Sequence, residues 1–170
     1  MEIDILFYEK QKFTQWWIWV IILGINGIMM YGIYYQVICG KPFGNHPMDN
    51  IGLLLMAIPM LLILVLFYVM KLETKIKSDG IYVRFFPFHI KFKHYPWQTI
   101  SKAYVRTYSP IAEYGGWGLR LGLFGKGMAY NVSGNVGVQL EFANNKKLLI
   151  GTHKPDEITI AIEENFKNSK

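Results

Sequence analysis

Trp16–Ile38, WWIWVIILGINGIMMYGIYYQVI, and Ile51–Met70, IGLLLMAIPMLLILVLFYVM, are two runs without a single Asp, Glu, Lys, Arg or His. A helix rises about 1.5 Å per residue, so some 20 residues span the roughly 30 Å hydrocarbon core of a bilayer. The second run is apolar on every face and has no polar stripe to turn toward water. The two runs predict a transmembrane helical hairpin within residues 13–70. A cleaved signal peptide fits the first run poorly. Its leading segment carries Glu2, Asp4 and Glu9, the run is too long, and no small-residue cleavage pattern follows before Gly40.

The chain has 170 residues and a net charge of +6, and the charge is unevenly placed. From Lys71 onward there are 15 Lys and Arg against 8 Asp and Glu. Lys10 and Lys12 precede the first run, and Lys71, Lys75 and Lys77 follow the second. Only Lys41 lies between them. Lys and Arg accumulate on the cytoplasmic side of membrane spans. The expected protein is therefore multi-pass in the cell inner membrane, with both termini cytoplasmic. Trp16, Trp17 and Trp19 at one end of the first run, and Tyr34 and Tyr35 at the other, suit interfacial aromatic belts.

Within the runs, Asn26 is the one strongly polar residue near mid-depth. It bonds either a partner inside a bundle or its own helix backbone. Pro59 kinks the second helix. No ionisable side chain lies inside either span, which argues against a channel or pump built from this chain alone. The connection GKPFGNHPMDN has the Gly, Pro and Asn of a tight link. The single Cys39 allows no intrachain disulfide, and His46 has no neighbouring metal ligand.

Residues 1–12 are a short cytoplasmic segment that either lies on the membrane surface as an interfacial helix or frays. Residues 71–170 read as one β-rich domain. Leu72, Thr74, Ile76, Ile81, Val83 and Phe85 share one face, and Ser78-Asp79-Gly80 makes the turn of a hairpin. Strands follow at Ile90–Phe92, around Ala103–Thr107, at Val136–Phe142 and from Lys147 to Thr152. Pro155, Asp156 and Glu157 open a helix whose apolar face is Ile158, Ala161, Ile162 and Phe166. About seven strands and one terminal helix predict a curled antiparallel sheet or barrel closed by a helix.

In its strands and turns the chain resembles the membrane-anchored bacterial pleckstrin-homology-like proteins. The resemblance is carried by the two-span hairpin and by LETKIKSDGIYVRFFPF (72–88), PWQTISKAYVRTY (96–108), YGGWGLR (114–120), SGNVGVQLEF (133–142) and KKLLIGTHKPDEITIAI (146–162). It implies a seven-stranded antiparallel barrel with a C-terminal capping helix, and a binding or assembly role. The first hairpin turn has two lysines and no dense basic cluster, so inositide binding does not carry over.

The segment from Glu113 to Gly134 mixes glycines with aromatic and basic residues. Tyr114, Trp117, Arg120, Lys126 and Tyr130 are the candidate partner- or ligand-binding residues, because Trp, Tyr and Arg anchor interfaces. The alternative is a bulged strand and hairpin with Trp117 filling the barrel mouth. Lys71, Lys75 and Lys77 are the candidate membrane-surface contacts. No nucleophile–base set, paired carboxylates or metal spacing emerges, so no catalytic residue, metal or cofactor is expected. The basic residues are spread among strands without a recognition helix, which argues against nucleic acid. The sequence thus predicts a non-enzymatic scaffold that contacts membrane lipids and docks a membrane protein partner or its own copies. The other reading is a sensor of a lipid or small ligand at the membrane surface.

Overall fold

A computed structural model describes residues 5–122 and 125–168. The chain forms two compact units, Thr14–Val69 and the segments on either side of it taken together.

The first unit is the hairpin. Helix α1 (Trp16–Ile33) continues through a π-helical turn at Tyr34–Ile38, and α2 covers Asn50–Val69 with Pro59 inside it. Both are long and apolar enough to cross a membrane. Few of their residues are buried: Ile22 and Gly32 of α1 and Leu53 and Ala57 of α2. Asn26 takes the second of its two options, its Nδ2 donating to the Ile22 carbonyl at 2.8 Å. Gln36 clasps the connection. Its Nε2 donates to the Met48 carbonyl at 2.6 Å, and its Oε1 accepts from the Phe43 amide at 3.2 Å. The Phe43 ring lies over Gly32, where a Cβ would stand 2.8 Å from it.

Among its described residues the second unit holds nine strands in two sheets. Strands β1 (Ile5–Lys12), β2 (Lys71–Lys77), β3 (Gly80–Phe86) and β4 (Lys93–Pro96) form an antiparallel sheet in that order. Strands β5 (Ile100–Thr107), β6 (Gly118–Leu121), β7 (Met128–Asn131), β8 (Val136–Phe142) and β9 (Lys147–Gly151) form the other. Its order is β5-β8-β9-β7-β6, with β7 and β9 parallel. A short helix α3 (Pro110–Tyr114) follows β5, and α4 (Pro155–Asn168) closes the chain.

The expected hairpin is present. Leu72, Ile76, Ile81, Val83 and Phe85 are buried on one face, as period-two alternation requires. Ile158, Ala161 and Ile162 bury the inner side of α4, and Phe166 packs on Trp97 with ring centroids 5.9 Å apart.

Three expectations are corrected. The described strands form two sheets and no closed seven-stranded barrel. The edge strand β4 ends at Pro96, which has no amide to donate to a ladder, and a 3-10 turn at Trp97–Thr99 carries the chain into the other sheet. Residues 90–92 are not a strand; the pairing begins at Lys93, opposite Val83. Residues 5–12 of the N-terminal segment are neither an interfacial helix nor frayed; they form β1, paired along its length with β2, and residues 1–4 lie outside the described residues. Phe7, Glu9 and Gln11 point inward, so this segment belongs to the sheet domain and not to a separate tail.

Candidate functional site

A cleft of about 750 Å3 opens in the sheet domain beside β4. Tyr95 and Pro96 of β4, Met128 and Tyr130 of β7, Phe142 of β8 and Leu148 of β9 make its apolar lining. Leu121 at the end of β6 and Gly122, Gly125 and Gly127 between β6 and β7 also line it. His94, Thr99, Asn144, Asn145, Lys146 and Lys147 supply polar groups.

Glycine is needed in this wall. Gly127 has φ +82°, and a Cβ there would run into the Lys147 carbonyl. The turn can therefore close over β9 only with a bare backbone.

Tyr95 and Tyr130 sit together at the base. Burial, and then the neighbouring Tyr130, push the Tyr95 hydroxyl well above its ordinary pKa, so it stays protonated. The Tyr130 hydroxyl accepts from Lys93 Nζ at 3.2 Å. Its ring meets His89 edge-on at 5.2 Å between centroids. His94 stacks on Tyr82 at 4.2 Å, with Nε2 3.5 Å from an Asp79 oxygen. Among the described residues no group of three or more His, Cys, Asp or Glu is placed to hold a metal ion.

The five residues singled out in the Glu113–Gly134 segment fall into three places. Tyr130 is a buried wall residue of the cleft. Tyr114 is buried beside Tyr108, Ala129 and Leu149, and its hydroxyl donates to the Lys126 carbonyl at 3.4 Å. Lys126 is exposed, with Nζ 3.7 Å from Glu113. Glu113 also takes a two-pronged contact from Arg106, at 3.2 and 2.8 Å, and accepts from the Ser109 amide. The Arg106 bonds hold the Glu113 carboxyl below its ordinary pKa.

Trp117 and Arg120 form the third place. Trp117 Nε1 donates to the Gly134 carbonyl at 3.0 Å, and Arg120 Nε donates to the Trp117 carbonyl at 2.9 Å. Trp117 is half-buried and Arg120 exposed. These contacts tie the β6–β7 hairpin to the loop after β7. They do not bring the five residues to one point.

Lys71, Lys75 and Lys77 lie on the outer face of β2, opposite its core face. Each has neighbours within the sheet. Lys71 Nζ is 3.5 Å from Glu73. Lys75 stands over Phe92 at 4.6 Å and Tyr8 at 5.4 Å, and Lys77 over Tyr82 at 5.4 Å. Beside them Arg84 grips Glu73 through Nε at 2.9 Å and Nη2 at 2.6 Å. Burial raises the Glu73 pKa, but the bonds from Arg84 and Tyr8 outweigh it and hold the carboxyl below its ordinary value.

Two features escaped the sequence reading. One is the cleft, whose lining comes from separate strands. The other is the latch of β1 onto the end of β9. Glu9 accepts from Thr152 Oγ1 at 2.6 Å and from the His153 amide at 2.8 Å, and Gln11 Nε2 donates to the Gly151 carbonyl at 2.8 Å. A buried carboxylate and a buried carboxamide on one face of β1 were the available signal.

The chain belongs to a family of unknown function, DUF6141, whose profile matches residues 1–167. No curated protein and no solved structure matches it.

Proposed function

We propose that this chain is a non-enzymatic, membrane-anchored docking protein. In this reading α1 and α2 cross the inner membrane. The sheet domain, a PH-like module capped by α4, holds an extended segment of a protein partner, or of a second copy, at the cytoplasmic leaflet.

The observation that carries the proposal is an apolar-lined cleft alongside an edge strand. Strand β4 is paired only with β3 in its sheet. An edge strand offers main-chain donors and acceptors to an incoming strand, and side-chain pockets beside it give specificity. Tyr95, Met128, Tyr130 and Phe142 are rigid or adaptable apolar surfaces for such side chains. The ionisable groups around the cleft are Lys146, Lys147, His94 stacked on Tyr82, Tyr130, and a Tyr95 that keeps its proton.

The β1–β2 ladder supports the membrane topology. Residues 5–12 and 71–77 pair directly, which supports the reading that both flanks of the hairpin share one compartment. A chain that spans a bilayer between them must cross an even number of times. The lysines at both flanks favour the cytoplasm for that compartment.

A second reading, an amphiphilic ligand with an anionic head, is favoured by one observation. Lys146 and Lys147 lie at a cleft whose volume falls in the range of small-molecule sites, about 300–1,000 Å3.

The test is photo-crosslinking in native membranes, with p-benzoylphenylalanine in place of exposed Leu121 at the cleft. A discrete protein adduct, absent when the probe replaces Ile160, is the expected result. An adduct with the mass of one lipid or metabolite would shift the assignment to the second reading. No adduct from Leu121 above that from Ile160 would contradict both.

A further inference from the structure

The loop between β3 and β4 leaves two large apolar side chains mostly exposed, although one of them, Phe88, leans on the core ring of Phe85 with centroids 6.0 Å apart. In PFHIKFK (87–93), Phe88 is 58 % exposed and Ile90 78 % exposed. The loop is pinned on both sides of them. The His89 amide donates to the Phe85 carbonyl at 2.8 Å, and the His89 ring meets Tyr130. Arg84 Nη1 reaches the Ile90 carbonyl at 3.4 Å, and Phe92 is held under Arg84 and Lys75. Phe88 and Ile90 are thus held outward by fixed neighbours, with exposed Lys91 between Ile90 and Phe92 and no acidic residue in the loop.

The register says where on the domain this happens. Lys71 pairs with Lys12 on one side and with Phe86 on the other. Neighbouring strands lie about 5 Å apart. Three residues separate Lys12 from the start of α1, and one separates the end of α2 from Lys71. The loop after Phe86 is therefore at the end of the sheet to which both membrane-length helices are attached. The Ser78-Asp79 turn is at the opposite end of the same strands, roughly 20 Å away at 3.3 Å per residue.

We propose that Phe88 and Ile90 insert into the headgroup–acyl boundary of the bilayer, with Lys91 at headgroup level, as a third membrane attachment of the domain. This rests on the reading that α1 and α2 span that bilayer. An aromatic and an aliphatic side chain flanked by lysine suit this boundary, where apolar area is buried and cationic groups meet anionic lipid. The attachment would fix the rotation of the sheet domain against the bilayer.

The experiment uses the full chain in vesicles of phosphatidylethanolamine and phosphatidylglycerol, with Cys39→Ser as background. Ile90→Cys, Phe88→Cys, Ser78→Cys and the α2 variant Met56→Cys each carry an environment-sensitive fluorophore. Quenching by nitroxide on the lipid chain is compared with quenching by aqueous nitroxide. The expected result is lipid-side quenching severalfold stronger at Ile90 and Phe88 than at Ser78, with matching thermal unfolding of all variants. Ile90 and Phe88 labels that behave like Ser78, while Met56 is quenched from the lipid, would overturn the loop insertion alone. A Met56 label that also escapes lipid quenching would overturn the membrane reading beneath it.

Discussion

Leucine and isoleucine are used in opposite ways in the two units. In the sheet domain Leu72 and Ile76 are 0 % exposed. In the hairpin Leu62 is 62 % and Ile51 70 % exposed. In the sheet domain apolar area is removed from water by protein, at about 25 cal/mol per Å2. In the hairpin the same side chains face outward, on helices long and apolar enough to cross a bilayer, which on the proposed reading would supply the apolar surroundings that the protein does not. The polar groups divide the same way. The sheet domain buries Glu9, Glu73, Asn131 and Gln139 and gives them partners in other strands or loops. The hairpin's Asn26 turns to its own backbone. One unit is organised by long-range complementarity, the other by local hydrogen bonding and its solvent.

The hardest way to break this contrast is to cut between the units. A chain beginning at Met70 lacks β1, and with it Phe7 in the core and the Glu9 and Gln11 bonds to residues 151–153. It should show no cooperative melt by near-UV circular dichroism. Joining residues 5–13 to Met70 through a flexible Gly/Ser linker should restore one. A cooperative melt of the chain from Met70 alone would mean that β1 is dispensable.

Next in size is a matched pair. Leu72→Ala should destabilise the sheet domain by about 2–5 kcal/mol, and Leu62→Ala should leave its denaturant midpoint in place, since it removes no packed side chain. Equal effects would erase the distinction between the units. Glu9→Ala should follow, at about 2–3 kcal/mol, because the Thr152 hydroxyl and the His153 amide are left unsatisfied. Thermal unfolding in detergent measures it, and Thr152→Val in the same background tests the coupling.

Acid should act on the sheet domain through two carboxyls. Glu113 and Glu73 have carboxyls held below the ordinary glutamate value near 4.5. A depressed native pKa gives stability that is fully present above that value and is lost as pH falls through the native pKa. The melting temperature should drop in that window, and Glu113→Gln should make the drop shallower. The smallest effect belongs to Lys75→Ala, about 0.5–1 kcal/mol from the lost stacking on Phe92 and Tyr8.

The elements legible in the sequence are those specified locally. Uncharged runs of 20 residues, the Ser78-Asp79-Gly80 turn between period-two segments, and the Pro155-Asp156-Glu157 helix start each carry their signal within a short window. Strand β1 does not. Its inward face is Phe7, Glu9 and Gln11, which periodicity in apolar residues alone does not detect, and its partner lies beyond the whole hairpin. Ile90–Phe92 reads as strand by composition, but Phe88 and Ile90 face outward and the ladder starts at Lys93. Tyr114 and Tyr130 look like surface anchors among glycines. Both are core rings, because a tyrosine is readily buried once its hydroxyl finds a partner, here the Lys126 carbonyl and the Lys93 ammonium. The cleft was illegible because no single segment contains it.

The most direct test of the central contrast is the sidedness of one site in each unit. In the Cys39→Ser background, His46→Cys in the α1–α2 connection and Asn145→Cys in the β8–β9 turn are treated in intact spheroplasts with a membrane-impermeant maleimide. The expected result is that His46→Cys labels at once and Asn145→Cys labels only after permeabilisation. Labelling of both from the same side would contradict a hairpin that crosses the bilayer and returns its two flanks to one sheet.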